Sequence, residues 1–161
     1  MLCILLGVGS TVKAQLSQGT TALGGGISYN KNTTKYGDAS VESSAFSFTP
    51  SIGYFAGDNL IVGLNAAVST SKGYSDDYEI DIKTFTLGVG PFVRKYIPTS
   101  NENFAFYIEG GVQYVSSKTE AVDASDEELK ATGFGVNVSP GFTYFVNEHW
   151  GLDLQLQGIQ Y

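Results

Sequence analysis

The sequence predicts an all-β chain whose antiparallel, up-and-down strands close into a barrel, and three observations lead there. Bulky and small residues alternate, the alternating stretches are each about ten residues long, and charged residues are almost confined to the connections between them. From Phe134 to Tyr144 the residues Phe134, Val136, Val138, Pro140, Phe142 and Tyr144 alternate with Gly135, Asn137, Ser139, Gly141 and Thr143. A period of two puts every bulky group on one face of a strand and every small or polar group on the other. The same pattern recurs at Trp150, Leu152, Leu154 and Leu156 against Gly151, Asp153, Gln155 and Gln157. It recurs again at Phe104, Phe106, Ile108, Val112 and Tyr114 against Ala105, Glu109, Gly111 and Gln113.

In chain order, the first segment has an apolar core from Leu2 to Val8 and a small-residue exit at Val12, Lys13 and Ala14. This pattern predicts a secretory signal peptide over residues 1–14, cleaved after Ala14, although a basic n-region is missing. An ordinary first strand is the alternative for these residues. Cys3 is the only cysteine, so a mature chain over residues 15–161 has no thiol and no disulfide. Seven strands follow, at residues 21–30, 44–54, 60–70, 84–94, 104–114, 133–144 and 150–160, each an alternating run bounded by turn residues. The connections at 56–59, 98–103 and 147–149 are short, whereas those at 31–42, 71–83 and 116–130 are long and polar. Short turns are therefore expected at one end of the barrel and long loops at the other.

FTPSIGYFAGDNL from Phe48 and VSPGFTYFVNEHW from Val138 share a Pro, a Tyr-Phe pair and an acidic turn residue, and GPFVRKY from Gly90 echoes the first half. Similar hairpin constraints explain this weak repeat as well as duplication does. Pro50, Pro91 and Pro140 fall on the bulky face, where a residue without a backbone donor fits only at an edge or bulge. Each is expected to mark a local bulge. Between Thr119 and Lys130, Ser125 followed by Glu128 has the spacing to cap one helical turn, with a disordered acidic loop as the alternative.

Composition narrows the function. A length of 161 residues fits one domain, and no apolar run is long enough for a spanning helix. The net charge of −7 argues against nucleic acid, whose phosphates would be repelled. Within the seven strand spans the only charged residues are Arg94, Glu109 and Asp153. The water-facing side of a soluble sheet normally carries many more. A face of Gly, Ala, Ser, Thr, Asn and Gln suits instead the narrow lumen of a small barrel, with the bulky face toward lipid. Tyr54, Phe55, Tyr96, Phe104, Tyr144, Phe145 and Trp150 cluster beside the short turns, and Tyr29 and Tyr114 near the long-loop ends, as in two aromatic girdles. Strands of this length cross a bilayer when tilted, and a closed sheet satisfies its own backbone there. The expected fold is thus an antiparallel up-and-down transmembrane β-barrel.

PSIGYFAGDNLIVG from Pro50, with GPFVRKYIP, FYIEGGVQY and SPGFTYFVNEHWGL, resembles the small outer-membrane β-barrel proteins of Bacteroidota, similar in architecture to eight-stranded barrels. The resemblance covers most of the chain beyond the leader. It implies a bacterial cell outer-membrane location and says little of activity, because such barrels act as adhesins, defence factors, anchors and, rarely, enzymes.

No enzyme, cofactor or metal site is expected. His149, the only histidine, sits in a short turn beside Glu148 and Trp150, and nothing in the sequence gives it a nucleophile and an orienting base. Arg94, Glu109 and Asp153 share lumen parity near the short turns and are expected to form a paired ion network in the lumen. A proton or ion path is the alternative for them. Asp76, Asp77, Glu79 and Asp81, with Asp123, Asp126, Glu127 and Glu128, match no oxygen-ligand loop, so cation contacts there are of low specificity. The apolar parity changes between Ile82 and Phe85, which predicts a bulge near Lys83 in a hairpin standing above the surface.

The expected function is structural or interactive: a monomer in outer-membrane lipid whose long acidic loops face outward and contact proteins or cations. A small passive porin is one alternative, and a soluble secreted barrel binding an apolar ligand is another. Strand parity adds an expectation about closure. With short turns after the second, fourth and sixth strands, the first and seventh would be parallel neighbours, so antiparallel closure needs an eighth. Seven strands of eight are therefore expected here, with a C-terminal strand missing and a gap between residues 21–30 and 150–160.

Overall fold

The computed structural model describes residues 2–7, 16–36, 39–75, 80–121, 128–147 and 149–161. Seven antiparallel up-and-down segments form the wall. They are β2 (Thr21–Tyr36), β3 (Ala39–Gly57), β4 (Leu60–Ser75), β5 (Ile80–Pro98), β6 (Phe104–Ala121), β7 (Leu129–Phe145) and a last segment formed by β8 (Trp150–Gln155) and β9 (Ile159–Gln160). Each pairs with the next in chain order.

No ladder joins residues 21–30 directly to residues 150–160, as the parity of the strands requires. The slot between them is not open, however. A short strand, β1 (Leu2–Gly7), runs antiparallel to both, with Leu6 opposite Leu23 on one side and Ile4 opposite Leu152 on the other. The expected gap is thus filled in this chain by the segment whose sequence reads as a leader. An apolar segment can adopt a strand wherever two unpaired edges offer backbone partners. The Ala14 cleavage position lies outside the described residues.

Strands β2 to β7 are 16 to 19 residues long. That corrects the three expected long loops, because most of their residues continue the ladder. Lys31 pairs with Ser44 and Tyr36 with Ala39, Ser75 pairs with Ile80, and Thr119 pairs with Leu129. Polar text hid these extensions because alternation marks a strand only where one face is apolar. Hydroxyl pairs across the ladder hold them, as between Thr84 and Thr119 at 3.1 Å and between Thr86 and Ser117 at 3.0 Å. Of the loop acids, Asp76, Asp77, Glu79, Asp123, Asp126 and Glu127 lie outside the described residues, as does Ser125.

The bulge expected near Lys83 is absent. Register is constant from Leu60 opposite Lys95 to Ser75 opposite Ile80, so Ile82 has inward parity on an unbroken strand above the membrane-facing belt. The prolines act one side at a time. Pro50 keeps its pairing with Gly25 while the ladder toward β4 skips from Phe48 to Ser51 without a change of register. Pro91 keeps Leu64 and interrupts the ladder toward β6. Only Pro140 coincides with a true bulge: Gly141 pairs with Gln155 but Val138 with Ile159, a slip of one residue that separates β8 from β9.

Inside and outside are inverted relative to a soluble protein. Ile27 is 64% exposed, Leu64 55% and Ile108 52%, whereas Arg94, Glu109 and Asp153 are buried. Large outward apolar area around a polar interior is what lipid solvation demands. No helix among the described residues is long and apolar enough to cross a membrane, and the crossing elements are strands.

Candidate functional site: a plugged lumen

Strands β5, β6, β7 and β8 bring their inward side chains together near the short turns. Arg94 donates from Nε and Nη2 to Glu109 Oε2 at 2.8 and 2.7 Å. Its Nη1 reaches Asp153 Oδ2 at 3.2 Å and the Tyr96 hydroxyl at 3.2 Å. The guanidinium also lies 4.0 Å from the centre of the Tyr107 ring. Each carboxylate has further donors. Gln155 Nε2 donates to Glu109 Oε1 at 3.2 Å, and Asp153 accepts from the Tyr107 hydroxyl at 3.1 Å and from the Thr143 hydroxyl at 2.6 Å. The three residues expected in the lumen therefore form one network, joined by Tyr96, which was expected in a girdle, and by Tyr107, Thr143 and Gln155, which had no expected role.

Beneath the network, toward the short turns, Phe55, Ile61, Tyr96, Tyr107 and Phe145 fill the bore, with Leu16 packed against them. Phe55 stacks on Tyr96 at 6.2 Å, and Tyr107 meets Tyr96 edge-on at 5.7 Å. Phe55, Tyr96 and Phe145 are accordingly not girdle residues: they are 1%, 1% and 4% exposed. Proximity to a turn suggested the membrane margin, but parity decides the face. Each stands two positions from an inward residue, Gly53, Arg94 and Thr143 respectively. Tyr54, Tyr144 and Trp150 do point outward, each exposed by 44% or more, and Phe104 is half-buried against Phe106 and Phe142.

Two close approaches make the plug possible. A Cβ on Gly141 would strike the Tyr107 ring and come within 2.7 Å of the Leu154 carbonyl oxygen, and one on Gly63 would come within 2.7 Å of the Phe92 ring. Glycine at these positions leaves the bore to the aromatic rings.

Above the network the lumen widens into a cavity of about 570 Å³, floored by Arg94, Glu109 and Asp153 and walled by small and polar residues including Ser51, Asn65 and Gln113. Among the described residues that line it there is no histidine or cysteine. Among the described residues no group of three or more His, Cys, Asp or Glu is placed to hold a metal. His149 is exposed in the last short turn, where Asn147 Oδ1 accepts from its backbone N–H at 2.8 Å and from that of Trp150 at 3.0 Å. That is a turn built by an asparagine side chain. At the other end of the barrel, Glu128 lies between Lys130 and Lys118 at 3.2 and 3.5 Å. The hydrogen bond from Lys130 and the charge of Lys118 hold its carboxyl below the usual range.

Neither a curated protein nor a solved structure matches this chain. The family model described as "Outer membrane protein beta-barrel domain" matches residues 1–161. With the inverted wall and the antiparallel up-and-down strands, this match identifies an integral outer-membrane barrel, and the chain belongs to the outer membrane protein β-barrel domain family.

Proposed function

We propose that the protein is a non-enzymatic, monomeric barrel of eight strands, of the type found in Bacteroidota, with a structural or surface-interaction role and no need of a cofactor. Its long hairpins face the exterior and offer acidic tips to proteins or cations, and nucleic acid is not a partner. One observation carries this over a passive channel: the bore is filled near the short turns by an aromatic cluster topped by a saturated ion network. A chamber closed at one end does not conduct. A signal peptide over residues 1–14 belongs to the proposal too. Cleavage after Ala14 removes β1, and closure between β2 and β8 then requires another strand, so the amino-terminal sequence of the protein purified from membranes tests that part.

Planar-bilayer recording tests the role. The protein should give no ohmic current steps, and deletion of the hairpin tip between Ser75 and Ile80 should leave heat-modifiable folding intact while reducing capture of the cell-surface partner. Discrete steps that grow when Arg94 is replaced by alanine would favour the channel instead.

A further inference from the structure

The floor of the lumen chamber has its hydrogen bonds satisfied but not its charge. One guanidinium, Arg94, stands against two carboxylates, Glu109 and Asp153, and among the described residues that line the chamber no other side chain is charged. Both oxygens of Glu109 are held by groups that only donate, Arg94 at Oε2 and the Gln155 amide at Oε1, so Glu109 is ionised. Asp153 has to share the same guanidinium through Oδ2. The side chains of Arg94, Glu109 and Asp153 are only 11%, 8% and 3% exposed. A surplus negative charge so far from bulk water is costly unless a cation or a proton meets it.

Above this floor there is room for a molecule rather than a bare ion. The chamber holds about 570 Å³, within the roughly 300 to 1,000 Å³ of small-molecule sites. Asn65 lines it, and Asn65 Oδ1 is the one buried side-chain polar atom among the described residues without a hydrogen-bond partner. A buried acceptor left unmet calls for a group that donates. Phe92, 7% exposed, and Ala67 make part of the wall apolar. A divalent metal fits poorly, because it needs about six oxygen ligands with free lone pairs. The carboxylate oxygens here already accept from Arg94, Gln155, Tyr107 and Thr143.

We propose that the chamber is a binding site for a small organic monocation, an ammonium compound with a short hydrocarbon body. Its N–H groups donate to the remaining lone pair of Glu109 Oε1 and its charge offsets the surplus of the floor, while its carbons lie against Phe92 and Ala67. Asn65 Oδ1 accepts from a second donor where the ligand carries one. The ligand enters from the long-hairpin end, because the aromatic cluster fills the other. The site rests on the reading of the bore as closed at its base, which planar-bilayer recording checks separately. Its rival within the chain is a proton on Asp153 Oδ1 shared with the Thr143 hydroxyl, which would discharge the floor with no ligand at all.

The test uses the full chain folded in zwitterionic micelles at neutral pH and physiological ionic strength, and follows propylammonium by saturation-transfer NMR with propanol as the uncharged counterpart. Wild type should bind propylammonium and give no transfer to propanol. Glu109→Gln and Asp153→Asn each neutralise the floor while keeping its shape, and each should weaken binding by about tenfold or more. Ala67→Leu, which narrows the chamber without touching the network, should abolish it. The heat-modifiable gel shift identifies the variants that fold, and Ala67→Leu keeps the test decisive if neither carboxylate variant does. Absence of transfer to propylammonium in wild type, equal transfer to propanol, or unchanged affinity in a folded variant would overturn the proposal. Displacement by equimolar potassium would overturn it in favour of an inorganic ion, and carboxyl NMR showing Asp153 protonated in the ligand-free protein would overturn it in favour of the proton.

Discussion

Glu109 carries more of the interior than its size suggests. It neutralises Arg94 through two hydrogen bonds and fixes Gln155 through a third, all inside the bore. Glu109→Leu leaves a buried guanidinium short of its main partner, at a cost of about 3 to 5 kcal/mol. Glu120→Leu alters an exposed position in the upper ladder and should change stability by no more than about 0.5 kcal/mol. Urea midpoints in lipid vesicles compare the two, and equal midpoints would mean that the network contributes nothing. Glu128 provides a pH readout. Its pKa is lowered in the folded chain, so the stabilisation it gives the last long hairpin is present above the ordinary carboxylate range and is lost as pH falls through the lowered value. Lys130→Gln should move the Glu128 titration, followed by carboxyl NMR, upward toward that ordinary range.

The charged triad was readable in the sequence because charges are rare in these strands, whereas Tyr107 was not, because an inward tyrosine beside Ala105 looks like one more aromatic of a lipid belt. Strand parity held the missing information. Tyr107 is two residues from Glu109, and Tyr96 two from Arg94. A period of two strictly followed assigns both rings to the interior.

Among the elements, the membrane-crossing halves of the strands were legible and the upper halves were not, because text made of Ser, Thr, Lys and Asn looks alike in loop and in ladder. The turns set the register below, so each further pair extends the ladder without a new loop to close. Prolines give the counterpart: each spares one neighbouring ladder and interrupts the other, and only at Pro140 does the register slip. Packing between β7 and the bore rests on Gly141. Gly141→Val should force the Tyr107 ring away from Asp153 and cost about 1 to 3 kcal/mol by overpacking. The heat-modifiable gel shift should then be lost at a lower temperature than in wild type, and an unchanged transition would show that the ring has room to move.

At the scale of the whole molecule, the inversion of polarity decides behaviour in a cell extract. Ile27, Leu64 and Ile108 have no protein cover, so the folded chain should partition with outer membranes, resist carbonate washing and migrate faster on a gel before heating than after it. Release by carbonate alone would contradict that wall. Closure was the least legible property at this scale. An even strand count follows from antiparallel geometry, but nothing in the alternation says which segment supplies the last strand.

The bond between Tyr107 and Asp153 joins residues 46 apart in the chain, on strands separated by β7. It cannot exist until β8 has docked on β7, so it works as a clasp that fastens only after that docking. The protein carries its own clock for the same step, because its single tryptophan, Trp150, opens β8 and points outward. During refolding into vesicles, the blue shift of Trp150 emission marks the moment β8 reaches lipid. In a Tyr107→Phe chain that shift should arrive on schedule and then partly reverse, the hem of the barrel having been drawn together with nothing to keep it fastened.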